Sequence, residues 1–508
     1  MNSSRRDVLM GLAALSFAGV TAANRAVAQT TGSSPLDFYI SPTGSDNNPG
    51  TASSPWAVTA LNSKRSIYAG KRVGLMDGTY DISSLPSTGF GVRLKIASGS
   101  ATNPTVIQAV NPRAAIITAK AGSTYNGSTP LIGNGANGIE STERFRYITL
   151  KDLTVTGAAT TLVSFSSDAP NTCPGILVEG CHIYDLSNPS GGAANMGGVM
   201  LGTGVTGGVI RNCSIHDCYV RGVSPTTHSN AACIYHWANG TIVEYCDLYN
   251  AHSLIYEKNQ AATPPPGGMT VRYNYLCGGP RGSAIAFAGF NNSTGTTPPY
   301  APTNIHHNVI ENVSIYGQAN TGVDGFQADW NFYNNTVYGS TGCMGAFIES
   351  KPSLATVRYY NNIRVRLGAP GSGGRGDAQF GSQPNAWTIV DFNRWEPTDT
   401  FGRSSAISAY PTSLLSLRQW KTIVDSPRPD AHSITADPAF VGPLAARTGA
   451  AQYKLSPNSP CLGAGRVGGS AAGTAIDMGA WDGATQIGAN FSGTSLAPPA
   501  APSAIVVS

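Results

Sequence analysis

The chain has 508 residues, of which only 12% are charged and 60 are glycine. This composition excludes a coiled coil and a typical helical enzyme, and it favours a β-rich body with many loops. The formal net charge is +4, and the first 28 residues supply half of it because they hold three arginines and one aspartate. The remaining chain is close to neutral, so its charge predicts no nucleic acid or other polyanion as a partner.

Residues 1–28 have the features of an export signal. Arg5 and Arg6 precede an apolar run from Val8 to Ala23, and Ala26–Ala28 forms a small-x-small cleavage site. The paired arginines resemble a twin-arginine export signal. We therefore expect a periplasmic or secreted mature protein. No later run reaches the roughly 18 apolar residues that a membrane span needs, so we expect no span.

A short motif recurs along the middle of the chain: an apolar residue, two variable positions, Asn or Cys, one variable position, and then Ile, Leu or Val. Its copies are Val178–Ile183, Ile210–Ile215, Val243–Leu248, Val271–Leu276, Ile305–Ile310, Phe332–Val337 and, more weakly, Tyr360–Ile363. Units of this length cannot bury an apolar face alone, so they must stack. The repeat predicts an all-β protein, a right-handed parallel β-helix. A β-sandwich has regular turns as well, but it does not need the same residue at every turn.

The Asn or Cys position of each copy should form one column through the stacked coils. It is occupied at positions 181, 213, 246, 274, 308, 335 and 361. The cysteines of this column are predicted to be small buried residues. The asparagines Asn274, Asn308, Asn335 and Asn361 are predicted to form a ladder of hydrogen bonds, as stacked asparagines do in cross-β structures.

A second apolar strand precedes each motif. These strands are Gly198–Leu201, Cys233–Trp237, Leu254–Lys258, Ile285–Ala288, Gly325–Asp329 and Ala346–Glu349. Stacking predicts that they form one long parallel sheet. The longest loops, Asn259–Gly268 and Asn291–Thr303, follow these strands, and loops of that length often carry function.

Two neighbouring strands of this predicted sheet hold the main candidates for catalysis. An alignment that pairs His236 with Glu257 also pairs Trp237 with Lys258. Since successive residues of a strand face opposite sides, one pair faces the core and the other faces outward, and the sequence leaves open which. A buried His–Glu pair would be structural. An outward pair would be a candidate acid–base couple.

Aromatic residues accompany these pairs. Tyr235, Trp237, Tyr256 and Phe287 could form a surface on which sugar rings stack, or each could be an ordinary core residue.

Acidic residues lie on the following coils of the same predicted sheet. Asp324, Asp329 and Glu349 are candidate Ca²⁺ ligands. Together with Glu257 they could instead be the paired carboxylates of a glycosidase, or they could be polar residues at turns and strand ends. By contrast, the consecutive residues His306 and His307 should face opposite ways in a strand, so we expect no shared metal site there.

Motifs near both ends of the mature chain resemble those of exported parallel β-helix proteins, most of which are polysaccharide lyases. They are Phe38–Asp46, Asp77–Tyr80, Asp437–Phe440, Leu455–Pro460 and Ile476–Ala480. The chain looks like the chondroitinase-B and alginate-lyase family and like a pectate-lyase family.

The resemblance implies an acidic polysaccharide as substrate and Lys258 as a catalytic residue. In the first family, a catalytic Lys lies just before an x-Ile-Arg-x-Asn motif, and Lys258 ahead of Val271–Asn274 is similar. An Arg on the next coil completes that family's site, and Arg281 is the nearest arginine here. Lyases remove the proton next to a uronate carboxylate, which a cation such as Arg or Ca²⁺ must neutralise. A Lys whose pKa is lowered by neighbours such as Arg272 can be the base.

Three functions follow as alternatives. The first is a lyase acting by β-elimination, with Lys258, Glu257, His236 and Arg281 as catalytic candidates. The second is a hydrolase with two carboxylates, and the third is a non-catalytic sugar-binding protein. We expect residues 29–495 to form one β-helix domain with its caps, residues 496–508 to form a loose tail, and the protein to be a monomer.

Overall fold

The computed structural model describes most of the chain from residue 35 onward. The described residues are 35–88, 92–119, 130–135, 144–157, 161–168, 172–188, 196–220, 231–258, 268–278, 283–288, 300–318, 328–339, 344–348, 357–366, 378–380, 387–403, 415–422, 430–442, 444, 449–483 and 485–489. The predicted export signal and the predicted 496–508 tail lie outside them. No helix in the described part of the chain is long and apolar enough to cross a membrane.

Three parallel sheets run along the body of the molecule. The first sheet has twelve strands: Phe38–Ile40, Arg72–Leu75, Thr105–Ala109, Ile148–Lys151, Ile176–Glu179, Val209–Arg211, Ile242–Glu244, Thr270–Arg272, Tyr300–His306, Ala328–Tyr333, Val357–Tyr360 and Trp387–Asp391. The second sheet also has twelve: Leu94–Lys95, Ile132–Asn134, Thr161–Phe165, Met196–Leu201, Ala231–His236, Ser253–Lys258, Ser283–Ala288, Val313–Gln318, Met344–Ile348, Ala378–Phe380, Thr400–Arg403 and Leu415–Ser416. The third sheet has ten: Gly78–Asp81, Ala115–Ala119, Thr154–Gly157, His182–Asn188, Ser214–Val220, Asp247–Ala251, Tyr275–Cys277, Val309–Glu311, Thr336–Tyr338 and Ile363–Val365.

Each coil takes one strand from each sheet, and each strand pairs with its equivalent in the next coil. This arrangement is the predicted right-handed parallel β-helix, with the hand that nearly all connections between parallel strands take. One apolar cluster fills the interior along almost the whole body, from Ile40 to Trp420. Two short two-stranded sheets lie outside the three long ones, formed by Cys173–Pro174 with Val205–Thr206 and by Gly465–Arg466 with Ala475–Ile476.

A single residue with a positive φ angle turns each coil from the first sheet into the third. The non-glycine residues at this turn are Asp152, Asn212, Tyr245, Tyr273, His307, Asn334, Asn361 and Phe392, with φ between 51° and 58°. Gly180 holds the same position on its coil with φ 67°. The repeated motif of the sequence therefore spans this corner, with its Asn or Cys directly after the turn.

The residues after the turn form the predicted ladder. The Asn274 amide donates to the Asn308 side-chain oxygen at 2.9 Å, and Asn308 donates to Asn335 at 3.0 Å. Asn335 donates to Asn362 and Asn362 to Asn393, both at 3.1 Å. Each amide group is thus satisfied by the next coil inside the core.

The prediction of Asn361 as a ladder residue is wrong by one position. Asn361 is the turn residue, with φ 58°, and its side chain pairs with the backbone of Arg466 at 2.8 and 3.0 Å. Asn362 holds the ladder position instead. The two adjacent asparagines made the alignment ambiguous in the sequence.

Cysteines extend the column toward the N-terminus, as predicted. Cys181, Cys213 and Cys246 are at most 1% exposed, and the backbone N–H of Cys246 donates to Asn274 at 2.9 Å. Burial raises the pKa of the Cys181 and Cys213 thiols well above the ordinary value. The eight cysteines within the described ranges are all free thiols.

Short helices lie near both ends of the body. Ala60–Ser63 and Arg65–Tyr68 lie at the N-terminal end, where Asn62 binds the backbone of Arg93 and Lys95, beside the first strand of the second sheet, at 2.8 Å each. Near the other end, the helix Leu417–Lys421 starts with a capping box between Ser416 and Gln419. The 3₁₀ turns Ala450–Tyr453 and Val467–Gly469 follow.

The C-terminal region does more than close the last coil. Leu415–Ser416 pairs antiparallel with Thr400–Arg403 and ends the second sheet, as expected for a cap. Residues 479–489, here called the return segment and described except for residue 484, then run back along the third sheet. The segment begins with the Gly479 N–H on the Asn361 carbonyl. It ends, among the described residues, with the Ala489 N–H on the Asp247 carboxylate.

Replacing Asn308 by Ala should lower the free energy of unfolding by about 3 kcal/mol, because it leaves buried groups of Asn274 and Asn335 without their partner. Urea unfolding measures the change. The matched control is Asn304→Ala, whose half-buried side chain lies on the preceding strand and bonds Asn331. We expect the control to cost less than about 1 kcal/mol. Equal losses in the two variants would contradict the ladder's role.

Candidate functional site

The strands Ala231–His236 and Ser253–Lys258 are neighbours in the second sheet. Tyr235 lies beside Tyr256, and His236 lies beside Glu257. On the preceding coil, Leu201 lies beside His236. These register pairs create two columns, one that contains the tyrosines and one that contains the His–Glu pair.

The His–Glu column faces the core. Its upstream member Leu201 belongs to the interior apolar cluster together with Phe165, whereas Met200, the neighbour of Tyr235, belongs to a separate cluster on the opposite face. Alternation along the strands therefore places the tyrosine column on the outer face of the second sheet.

His236 and Glu257, both candidates for catalysis in the sequence, are buried. His236 is 0% and Glu257 3% exposed, with 3.8 Å between the His236 Nδ1 and Glu257 Oε1 atoms. Burial lowers the pKa of His236 to about 3, so the ring is neutral at pH 7. This location favours the structural alternative over an acid–base couple that meets a substrate.

An aromatic platform, consisting of Tyr235, Trp237 and Tyr256, forms the outer cluster together with Met200 and Ala232. The Tyr235 and Tyr256 rings stack with centroids 5.3 Å apart, and Trp237 meets Tyr235 edge-on at 5.4 Å. Tyr235 therefore covers one face of the Tyr256 ring. The next residue in the column, on the other side of Tyr256, is Ala286, which has no ring.

The platform also contains polar groups. Burial raises the pKa of Tyr235 and of Tyr256 above the usual range, so both hydroxyls stay protonated. The Tyr235 hydroxyl is buried, and within the described structure it has no hydrogen-bond partner. Tyr235 is 0% and Trp237 7% exposed, so Tyr256 is the member of the platform whose ring a ligand can reach.

Lys258 is the last residue of its strand, two positions after Tyr256. Its backbone pairs in register with Ala288, and its side chain lies outside what the structure describes. The backbone of Phe287 pairs in register with Glu257, and its side chain also lies outside what the structure describes. Arg281 lies outside the described residues.

Arg272 does not join the platform. It belongs to the strand Thr270–Arg272 of the first sheet, whereas the platform belongs to the second. Its guanidinium binds the Glu244 carboxylate at 2.6 and 2.9 Å. The expected effect of Arg272 on the pKa of Lys258 stays a prediction, because the Lys258 side chain lies outside what the structure describes.

The predicted acidic site is only partly visible. Asp324 and Glu349 lie outside the described residues. Asp329 lies in Ala328–Tyr333 of the first sheet, so the prediction of a second-sheet strand at Gly325–Asp329 is wrong; the second-sheet strand of that coil is Val313–Gln318. In the described part of the chain, no group of three or more His, Cys, Asp or Glu side chains is arranged to hold a metal ion.

The expected separation of His306 and His307 is also wrong. Their Nδ1 atoms are 2.8 Å apart. The reason is that His307 is a turn residue with φ 55°, so the alternation of the strand ends before it. Burial lowers the pKa of His306 to about 3 and that of His307 to about 4.

A polar cluster on the third sheet was not predicted at all. His182 and His216 meet through their Nε2 atoms at 2.8 Å, and the His216 Nδ1 atom is 2.7 Å from the Asp217 carboxylate. Tyr184 and Tyr249 stack on the two sides of the His216 ring. Aligning the strands that follow the Cys column would have brought these histidines onto neighbouring coils.

Comparison with known proteins finds likeness in structure alone. No family model matches the sequence, and no curated protein matches it. The pectate lyase Pel9A has 13% identity and a TM-score of 0.48, covering 88% of this chain and 96% of its own. A protein named glycoside hydrolase has 11% identity and a TM-score of 0.35, and the match covers 72% of this chain and 94% of that protein. An alginate lyase from Paenibacillus sp. str. FPU-7 has 16% identity and a TM-score of 0.30, and the match covers 59% of this chain and 91% of that lyase.

These identities and TM-scores are too low to transfer an activity. The activities in those names belong to those proteins, and any activity of this chain has to be argued from its own residues.

Acid should destabilise the protein partly through His236. Because its pKa in the folded protein, about 3, lies below the unfolded value of 6.5, the unfolded state binds the proton first. Stability is therefore lost as the pH falls below about 6.5, until the folded pKa is passed. Between about pH 6 and pH 4, the wild type should lose up to about 1 kcal/mol per pH unit more than His236→Gln does.

Urea unfolding at a series of pH values measures this difference. Identical slopes for the wild type and His236→Gln would show that His236 is not held neutral by burial.

Proposed function

We propose that this protein is a polysaccharide lyase that cleaves a uronic-acid-containing polysaccharide by β-elimination. The observation that carries the proposal is the aromatic platform on the outer face of the second sheet, in the strand pair that ends at Lys258. Three features support it: a ring that can stack on a sugar, a lysine at the end of the same strand, and the lack of a described carboxylate pair at the platform.

The platform supports sugar binding. Aromatic faces pack against the C–H faces of sugar rings, and hydroxyls at their edge bind sugar oxygens. Tyr256 has one ring face turned toward the coil of Ala286, about 4.8 Å away along the helix. A single sugar ring has about this thickness, so one ring could lie on Tyr256 above Ala286. The Tyr256 hydroxyl, which stays protonated, supplies a donor at the edge of the same ring.

Lys258 is the proposed base. Alternate residues of a strand share a face, so the position two after Tyr256 belongs to the platform side of the sheet. A neutral lysine there would take the proton from the carbon next to the uronate carboxylate. The bond from the neighbouring carbon to the leaving oxygen then breaks, a carbon–carbon double bond forms between the two carbons, and an acid protonates the leaving oxygen.

The described carboxylates give the hydrolase alternative little support. A glycosidase needs two accessible carboxylates that flank one bond. Glu257 faces the core, and Asp329 belongs to another sheet. Glu257 and Asp329 therefore cannot flank one glycosidic bond at the platform.

The remaining parts of the proposal rest on the sequence. The paired Arg5 and Arg6 and the cleavage site at Ala26–Ala28 support export by a twin-arginine signal to the periplasm or outside the cell. The substrate carboxylate needs a cation to neutralise it, and Arg281 or a Ca²⁺ ion is proposed for that role.

Wild-type protein should raise the ultraviolet absorbance of one or more uronate polysaccharides as unsaturated ends form. The panel includes polygalacturonate, alginate and chondroitin sulfate, each with Ca²⁺ or with EDTA. Lys258→Ala should lower kcat by at least about 100-fold with little change in KM, because it removes the base. The matched control is Lys151→Ala, a lysine of the first sheet paired with Glu179, which should keep full activity.

Other results would point elsewhere. New reducing ends without the absorbance would indicate a hydrolase. Binding of a polysaccharide without either product would indicate a sugar-binding protein. Full activity in Lys258→Ala would remove Lys258 as the base.

Tyr256→Ala should raise KM by up to about 10-fold, because a stacked ring contributes about 1 kcal/mol, while Tyr256→Phe keeps KM near the wild-type value. Steady-state kinetics on the same substrate measure both. The control Tyr360→Ala removes a similar ring, stacked at 5.1 Å on Tyr333 in the first sheet, and should leave KM unchanged. An equal rise in the control would argue against the platform as the binding surface.

A further inference from the structure

The His182–His216–Asp217 cluster has the chemistry of a metal site that is independent of the platform. It lies on the outer face of the third sheet, where Tyr184 pairs in register with His216. His216 is 3% exposed, but His182 is half-buried and the Asp217 side chain is 27% exposed, so the cluster reaches the surface through these two residues. The described part of the return segment ends at Asp247, on the next coil.

Hydrogen bonding sets the protonation of the two rings. The Asp217 carboxylate accepts from the His216 Nδ1–H group at 2.7 Å. A neutral His216 ring then has a lone pair on Nε2, which faces the Nε2 atom of His182 at 2.8 Å. Only one proton can lie between these two nitrogens. A metal ion that replaces this proton would have two imidazole ligands in place, once His182 carries its proton on Nδ1.

The spacing indicates which metals fit. Metal–imidazole bonds are about 2.0–2.1 Å long, so two ligands at a right angle have nitrogens about 2.9 Å apart, and two tetrahedral ligands about 3.3 Å apart. The observed 2.8 Å is the length of a hydrogen bond between the two rings, and it is also close to the right-angle value. Right angles between nitrogen ligands are typical of square-planar Cu²⁺ and Ni²⁺ sites, and imidazole suits both ions.

The carboxylate behind His216 is the second independent feature. A metal-binding histidine usually donates its other N–H group to a carboxylate or carbonyl, which fixes the tautomer and raises the basicity of the ligand. Asp217 does this for His216. The other histidine pair of the chain, His306 and His307, meets through the two Nδ1 atoms, and no carboxylate bond to either ring is seen in the described structure.

We propose that His182 and His216 bind one divalent transition-metal ion of the Cu²⁺ or Ni²⁺ type, with Asp217 as the positioning residue of His216. The two Nε2 atoms occupy adjacent coordination positions. Water or a small ligand fills the others, because no third His, Cys, Asp or Glu of the described chain completes the set.

Calorimetric titration of the tag-free, EDTA-dialysed full chain with NiCl₂ and with CuCl₂ tests the proposal. One ion should bind per chain, and binding at this site should be lost in His182→Phe and in His216→Phe, which keep an aromatic ring in the stack. Asp217→Asn should weaken binding by about 10- to 100-fold, and its backbone is compatible because Asn adopts the same positive φ at Asn250.

The control is His307→Phe, which removes one member of the other histidine pair. Its backbone is compatible as well, since Phe392 holds the equivalent turn position on another coil. It should bind the metal as the wild type does. Unchanged binding in His182→Phe and His216→Phe, or a loss in His307→Phe alone, would overturn the proposal.

Electron paramagnetic resonance of the Cu²⁺-loaded wild type gives a readout that needs no variant. Splitting from two equivalent imidazole nitrogens is the expected result, and a spectrum with oxygen ligands only would overturn the assignment. Lyase activity is not part of either measurement, so failure here leaves the proposed function untouched, and the reverse also holds.

Discussion

The structure depends on one constraint: each strand pairs in register with its equivalent on the next coil, about 4.8 Å away. Because the coils are parallel, each residue lies beside a residue of the same orientation. The single turn residue with positive φ and the asparagine ladder after it keep this alignment at the same corner of every coil. A residue that faces inward on one coil therefore lies beside inward-facing residues on the neighbouring coils, and the same holds for outward-facing residues. This rule also decides which side chains can meet a ligand.

The shared orientation within a column explains why some polar side chains lie in the core. His236 stands in a column whose preceding members are Phe165 and Leu201, so it can only face inward. Near the C-terminal end, Arg364 lies in register with the core residue Val337 and is 1% exposed. It binds the Asp399 carboxylate. The desolvation of such a buried ion pair costs much of the free energy that its electrostatic attraction provides. The pair therefore favours one specific packing of the core more than it adds stability.

Much of the fold could be predicted from the sequence, because a repeated motif reports on stacking directly. The parallel β-helix, the asparagine ladder from Asn274 to Asn335 and the buried cysteines were predicted and are confirmed. Errors arose where local identity was ambiguous. Two adjacent asparagines hid which one is the turn residue, and Asp329 was assigned to the wrong sheet.

The site could be predicted less well, for a physical reason. A strand pattern gives two alternating faces but not which face is inside, and that choice decides whether His236–Glu257 or Tyr235–Tyr256 meets a ligand. The choice follows from the column as a whole, through Phe165 and Leu201. The His182–His216 contact was missed because it joins positions on different coils that no single motif contains.

The return segment changes how the coils cooperate. In a solenoid each coil contacts only its neighbours, so the ends can fray one coil at a time. Here the Ala489 N–H group bonds to Asp247, 242 residues earlier in the chain. This contact closes a long loop, which forms slowly because its entropy must be lost before the bond is gained. The middle coils thus receive their last contacts only after the C-terminal part of the chain has been synthesised, and fraying from the C-terminal end must detach this segment first.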